Sequence, residues 1–286
     1  MQLNFWGVRG SIPTPGAATS RWGGNSSCVE VRSDGLAPLV LDCGTGARLL
    51  GHKLVGEQHR ELDLLFTHLH MDHVFGFPFF LPIYTPGYEV RIGVPAFSDE
   101  EAREKLSRYL NGVYHPTRLR DLPSDVTFRA VRSGRQFAAG GFEVDALSLN
   151  HPGGSLGYRV SAGGRSIAYI TDTAPFVRPG EGLLAGREPP RTERRVVEFL
   201  SGCDCVVYDT MYDRAEYLEK MTWGHSYPEY AVGLCKAAGV EHLVLFHHLP
   251  DASDDDLDRL AETWAGHERP RVTLAREGET VQMGSR

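Results

Sequence analysis

No stretch of this chain stays apolar for anything near the ~20 residues that a membrane-spanning helix needs, so no membrane partner is expected. Cysteine is sparse. Cys28, Cys43, Cys203, Cys205 and Cys235 make an odd set of five, and no C-x-x-C occurs. That argues against a disulfide framework and leaves Cys203 and Cys205 a weak metal pair; buried structural thiols are the better reading. Positive charge is also short. Thirty Lys and Arg face 37 Asp and Glu, a net charge of −7. An acidic protein repels nucleic-acid backbones overall, so a phosphate substrate must be held by local positive charge or by metal. The opening MQLNFWGVRGSIPTPG lacks the basic and apolar regions of a secretory leader, and a cytoplasmic location is expected.

What remains is globular composition: 286 residues, 41% hydrophobic and 23% charged, enough for a sizeable core. Strands are expected around Leu3 to Trp6, Cys28 to Val31, Leu39 to Leu41 and Leu62 to Thr67. Strands are expected again in Phe137 to Leu149, Ser155 to Val160, Ser166 to Ile170, Cys205 to Tyr208, Leu243 to Phe246 and Arg271 to Leu274. Helical spacing marks Ala47 to Leu54, Glu193 to Leu200, Pro228 to Ala238 and Asp254 to Trp264. With no linker in sight, residues 1–286 read as one α/β (α+β) domain. Residues 74–130, aromatic and rich in proline, read as an insertion over a pocket. A β-α unit of the ordinary kind is the alternative, because Ser98 can cap a helix with Glu101 three residues on.

The run FTHLHMDHVFG crowds His68, His70, Asp72 and His73 into six positions at the end of an apolar segment. Four adjacent titratable groups are expensive to satisfy structurally, whereas imidazole and carboxylate together suit Zn²⁺ and related ions. His151, Asp172 and the pair His247-His248 each also follow an expected strand. Such strand ends converge at one edge of a sheet, where α/β sites lie. Alone, His151 would read as a loop residue and Asp172 as a turn or cap.

The motif His68-x-His70-x-Asp72-His73, with His151, Asp172 and His247 following in order, resembles the metallo-β-lactamase superfamily over nearly the whole chain. The resemblance implies a four-layer αββα sandwich with two divalent metal ions at one edge, Zn²⁺ first, with Mn²⁺ or Fe open. It implies one ion on His68, His70 and His151, a second on Asp72, His73 and His247, and Asp172 between them. Two ions ~3.5–4 Å apart can share a hydroxide and clamp a phosphate. His248 would support the site from behind, and so would Asp42 in LDCGTG.

Within that superfamily, Trp223-Gly224-His225-Ser226 is similar to the G-H-S-T helix start of the ribonuclease Z and cyclic-phosphate phosphodiesterase branch, with Tyr227 where threonine is usual. The resemblance implies that His225 meets the scissile phosphate and that Asp209, in VVYDTMY, orients it. The segment Gly7-Val8-Arg9-Gly10-Ser11 recurs in the branch too. Arg9 could pair with phosphate, Ser11 could offer backbone N–H, and Asn25 could lie nearby; a plain turn is as good a reading. The expected function is therefore hydrolysis of a small phosphodiester such as a cyclic nucleotide or cyclic phosphate. RNA is the rival substrate, but the chain has no long Gly- and Lys-rich arm, and its 74–130 stretch is only mixed in charge. Phe77, Phe79, Phe80 or Tyr84 could stack a base or simply be core. Thioester or lactone hydrolysis and a non-catalytic metal sensor are the other readings. The resemblance also implies a homodimer as the common assembly.

Overall fold

The computed structural model describes residues 1–57 and 59–284. Sheet one begins with β1 (Gln2–Gly7), β2 (Cys28–Arg32), β3 (Leu39–Leu41) and β4 (Glu61–Leu65). It continues with β5 (Glu89–Pro95) and β6 (Asp125–Val131). Sheet two is built from β7 (Gln136–Ala139), β8 (Phe142–Ser148), β9 (Leu156–Ala162), β10 (Arg165–Ile170), β11 (Cys205–Asp209), β12 (His242–Phe246) and β13 (Arg271–Leu274). A last strand, β14 (Thr280–Gln282), returns to sheet one beside β1. The orders are β14-β1-β2-β3-β4-β5-β6 and β13-β12-β11-β10-β9-β8-β7.

The helices are α1 (Ala47–Gly56), α2 (Met71–Val74), α3 (Asp99–Ser107), α4 (Arg191–Leu200), α5 (Arg214–Glu219), α6 (Pro228–Ala238) and α7 (Asp254–Trp264). Three apolar clusters define the layers. Phe5, Val29, Leu41, Phe142, Tyr158, Val207 and Phe246 fill the space between the sheets. Leu50, Leu54, Leu64, Phe77, Phe80 and Leu106 pack helices on sheet one, and Val196, Leu200, Tyr208, Leu234 and Leu257 pack helices on sheet two. This is an αββα sandwich.

Apart from the antiparallel β8, the strands that lead into the site are parallel and largely covered on both faces, which is why they read as short apolar runs. β3, β4, β5 and β6 run parallel, as do β10, β11, β12 and β13. Their carboxyl ends therefore open on one edge. α6 starts with Pro228 at its first position and stops at Gly239 in the left-handed conformation.

One expectation needs correction. Residues 74–130 are not an insertion. β5 and β6 pair without a break from Glu89–Asp125 to Pro95–Val131, with α3 as the crossover between them. The β-α alternative is the one the fold uses. β6 escaped notice because it is an edge strand whose residues alternate between exposed and half-buried rather than forming an apolar run. Of the aromatic stretch, Phe77 and Phe80 are core, while Phe79 is exposed.

Candidate metal centre

Each candidate ligand leaves a strand and turns inward. His68 and His70 follow β4, and Asp72 and His73 sit on the short α2 that follows them. His151 follows β8, Asp172 follows β10, Asp209 ends β11, and His247 follows β12. Both sheets thus contribute. The side chains fall into overlapping groups. His68, His70, His151 and Asp172 have ligand atoms within 4.8 Å of one another, and so do Asp72, His73, Asp172 and His247.

Asp172 belongs to both. Its Oδ2 lies 3.7 Å from His68 Nε2 and 3.6 Å from His151 Nε2. Its Oδ1 lies 3.0 Å from His73 Nε2 and 3.1 Å from His247 Nε2. Asp72 Oδ2 is 3.2 Å from the same two nitrogens. The second group is wholly buried, whereas His70 in the first is exposed, so the site opens on that side.

The far ring nitrogens of His73 and His151 are already occupied. Asp42 Oδ2 accepts from His73 Nδ1 at 2.8 Å, and its oxygens also accept from the Thr67 amide and hydroxyl and the Tyr169 hydroxyl. The Gly224 carbonyl accepts from His151 Nδ1 at 2.9 Å. Such partners fix the tautomer and leave Nε2 with a free lone pair. Gly224 must be glycine: at φ 88°, a Cβ there would stand 2.4 Å from His151 Nδ1. The fit to a cation is visible in what is unsatisfied. His68 Nε2 and His73 Nε2 are buried without a hydrogen-bond partner. Burial would raise the Asp172 carboxyl, but His247, His73 and His68 around it hold it well below the ordinary carboxylate range. Carboxylate oxygens among imidazole nitrogens form a nitrogen and oxygen donor set suited to a divalent ion.

A third group lies alongside. His225 Nδ1 donates to Asp209 Oδ2 at 2.9 Å, and its ring stacks 5.1 Å from that of His247. Asp209, His225 and His247 are themselves close enough to share an ion. The Asp209 oxygens, however, are already held by the amides of Thr173 at 3.0 Å and Met211 at 3.1 Å, which makes it an orienting group. Burial opposes charge on His225, but Asp209 beside it raises its pKa to about 9.

The remaining expected residues divide. Ser11 is at the site: although the residue is exposed, its backbone N–H donates to Asp72 Oδ2 at 2.8 Å. Arg9 is held by backbone carbonyls through Nε and Nη1, with Nη2 left without a partner. It is fully buried and donates to the carbonyls of Gly23, Leu249 and Ala252. Asn25 is likewise committed, donating through Nδ2 to Glu277 at 2.5 Å. His248 turns away from the cluster and bonds the Ala275 carbonyl at 2.7 Å, tying the end of β12 to that of β13. Sequence reasoning passed over Thr67, Tyr169 and the Gly224 carbonyl. The two side chains belong to strand or strand-end positions with no pattern of their own, and a carbonyl has no signature at all.

An αββα sandwich with imidazoles and carboxylates gathered where both sheets end is the architecture of a metal-dependent hydrolase with the metallo-β-lactamase fold. The chain belongs to the beta-lactamase superfamily, whose domain model matches residues 39–248. It is 27% identical over 331 aligned positions to a ribonuclease Z of Synechococcus sp. strain WH7803, covering 99% of this chain and 96% of that protein. Among solved structures it resembles the metallo-β-lactamase fold protein YhfI of Bacillus subtilis, with TM-score 0.68, 18% identity and 98% of each chain covered. A diphosphatase of the PhnP family has TM-score 0.68 and 17% identity, with 99% of this chain and 98% of that one covered.

Proposed function

We propose that this chain hydrolyses a small phosphodiester with two divalent ions, zinc first among them. In this reading His68, His70 and His151 hold one ion, Asp72, His73 and His247 the other, and Asp172 both. Bound there, the ions would neutralise phosphate charge and acidify a water. The protein does the rest. Asp42 and Gly224 orient the imidazoles, the Ser11 amide holds Asp72, and the open His70 side admits substrate.

The observation that carries the reading is His225. Its proton on Nδ1 is held by Asp209 at 2.9 Å, and that carboxylate favours the protonated ring. A cation packed against the ligand cluster suits a phosphoryl oxygen, and a proton on Nε2 suits a departing alkoxide. Thioester or lactone hydrolysis has no need of it. The relatives named ribonuclease Z and diphosphatase both support phosphate chemistry. A small substrate is favoured over RNA by the net charge of −7 and the lack of a Gly- and Lys-rich arm. RNA is the second reading, favoured by the near full-length match to ribonuclease Z.

The test is turnover of bis-p-nitrophenyl phosphate, a thioester and a precursor tRNA by the zinc-loaded protein. His225→Ala is expected to lose about 10²–10⁴-fold in kcat on the diester, as removal of a general acid does, with zinc content retained. Undiminished diester turnover by that variant would sink the mechanism; faster turnover of the tRNA than of any small diester would move the substrate to RNA.

A further inference from the structure

Beside His68 and His70 lies a groove of about 330 Å³ whose far wall is the end of α3. We infer that this groove is a second anion site, selecting small phosphodiesters that carry an additional phosphate; the inference rests on the phosphodiesterase reading. In a chain of net charge −7, the described residues lining the groove include Lys105 and Arg108 and no carboxylate.

The sequence of α3 separates its charges. Asp99, Glu100 and Glu101 occupy the first turn, where they complement the helix dipole. Lys105, Arg108 and Tyr109 follow at the spacing i, i+3, i+4, which places them on one face at the other end. That end is pinned to the metal-ligand loop. The Tyr109 hydroxyl donates at 2.5 Å to the carbonyl of Leu69, the residue between His68 and His70. The cations therefore stand next to the open side of the cluster.

Their present partners are weak. Arg108 meets Glu104 at 3.5 Å, with both side chains more than two-thirds exposed. Lys105 meets Glu101 at 2.9 Å and the Pro95 carbonyl at 2.9 Å, with about a third of its side chain exposed. Exposed pairs of this kind contribute little and exchange readily for a doubly charged phosphate. The third wall is the turn Gly153–Gly154, at φ 82° and 86°, which puts no side chain into the groove. A Cβ on Gly153 would stand 3.7 Å from His70 Nε2, in ordinary contact, so this bare turn borders the groove directly beside the candidate ligand. A diester at the cluster would extend its second phosphate along this groove toward Arg108 and Lys105.

The experiment compares thymidine 3′,5′-bisphosphate with thymidine 5′-monophosphate by titration calorimetry on the zinc-loaded protein at low salt. The wild type is expected to bind the bisphosphate about tenfold or more tightly, the size of one partly screened charge-assisted contact. The preference is expected to shrink with added salt, to vanish in the Lys105→Ala, Arg108→Ala double variant, and to survive in part in Arg108→Lys. In a second arm, the ratio of kcat/KM for the p-nitrophenyl ester of thymidine 5′-phosphate with and without a 3′-phosphate should fall about tenfold in the double variant, by the same reasoning. Equal binding of the two nucleotides by the wild type, or a preference that persists in the double variant, overturns the inference. Intact binding preference with no turnover of either ester would instead overturn the phosphodiesterase reading and leave the anion site standing.

Discussion

Among the described residues, Ser11, Asp42, Asp172 and His247 are the non-glycine positions with positive φ, between 52° and 64°. All four lie at the candidate metal centre. A left-handed backbone costs of order 1–3 kcal/mol for a residue that is not glycine, and such strain persists only where its surroundings over-determine it. Here the function is directional. At the end of β10 or β12 an ordinary φ would carry the next side chain on along the strand, whereas the left-handed turn swings Asp172 and His247 back over the strand ends. Nothing in TDT or FHHLP announces that conformation, so the ligands were legible as residue types while their orientation was not. A histidine outside the site shows the opposite economy. His242, at the start of β12, is buried, bonded to the Thr273 hydroxyl at 2.8 Å, and 3.1 Å from the Arg271 guanidinium. Burial first, and then Arg271, push its pKa down to about 4. The unfolded chain takes up this proton near pH 6.5, before the folded one does, so stability is complete above that pH and falls as the pH drops from about 6.5 toward 4. The loss should reach about 2–3 kcal/mol at the acid end. His242→Gln keeps a partner for Thr273 and removes the titration. Urea unfolding at pH 7 and pH 4.5 should show a smaller acid loss in the variant, and identical losses would mean that His242 is not held neutral.

At the level of elements, the start of α7 fastens the N-terminal loop to the site's frame. Ser253 and Asp256 form a reciprocal cap, and the buried Asp254 accepts from the amides of Arg21 at 2.8 Å and Trp22 at 3.0 Å. The next residue, Gly23, accepts from Arg9, which also holds Leu249 and Ala252 just beyond His247 and His248. Arg9 thus serves as a clamp between loops, a role that its position in GVRGS does not distinguish from phosphate binding. Ser253→Ala should cost about 1 kcal/mol, the ordinary value of a lost cap. Asp254→Ala should cost more, because two part-buried amides lose their buried acceptor. Thermal unfolding should rank the wild type above Ser253→Ala and Ser253→Ala above Asp254→Ala; the reverse order would mean that the cap, not the loop anchor, carries the element. The same physics decides which elements could be read from sequence. β4, β10, β11 and β12 are largely buried on both faces and appear as short apolar runs, broken in β4 only by Asp63, with a candidate site residue at or just beyond each end. β6 and β14 lie at sheet edges, half exposed, and β5 carries Glu89, Arg91 and Pro95 amid its apolar positions. Their pairing comes from neighbours distant in the chain, which no local pattern records.

For the whole molecule, the candidate metal centre is a seam. β4 and the loop after β3 bring His68, His70, Asp72, His73 and Asp42 from sheet one; β8, β10, β11 and β12 bring His151, Asp172, Asp209 and His247 from sheet two. Apolar packing already joins the sheets through Phe5, Tyr169 and Phe246, and Tyr169 reaches across to Asp42. Ions held between the halves would add a cross-link to that packing, so their removal should loosen the fold as a unit and not only the loops around the site. A ligand bound to the folded state alone at a thousand times its Kd stabilises by about 4 kcal/mol. For a chain of this size that corresponds to roughly 10 °C in Tm. A chelator should lower the midpoint by about this much while preserving a single transition, and added zinc should restore it. Asp172→Ala is the sharper probe. Asp172 Oδ1 faces one histidine pair and Oδ2 the other, so its loss should remove more than half of the zinc-dependent rise in Tm, whereas loss of the exposed His70 should remove less. A zinc-dependent rise that survives Asp172→Ala would place the ions on the two groups independently and dissolve the seam; a Tm indifferent to chelation in the wild type would show that side-chain packing alone joins the sheets.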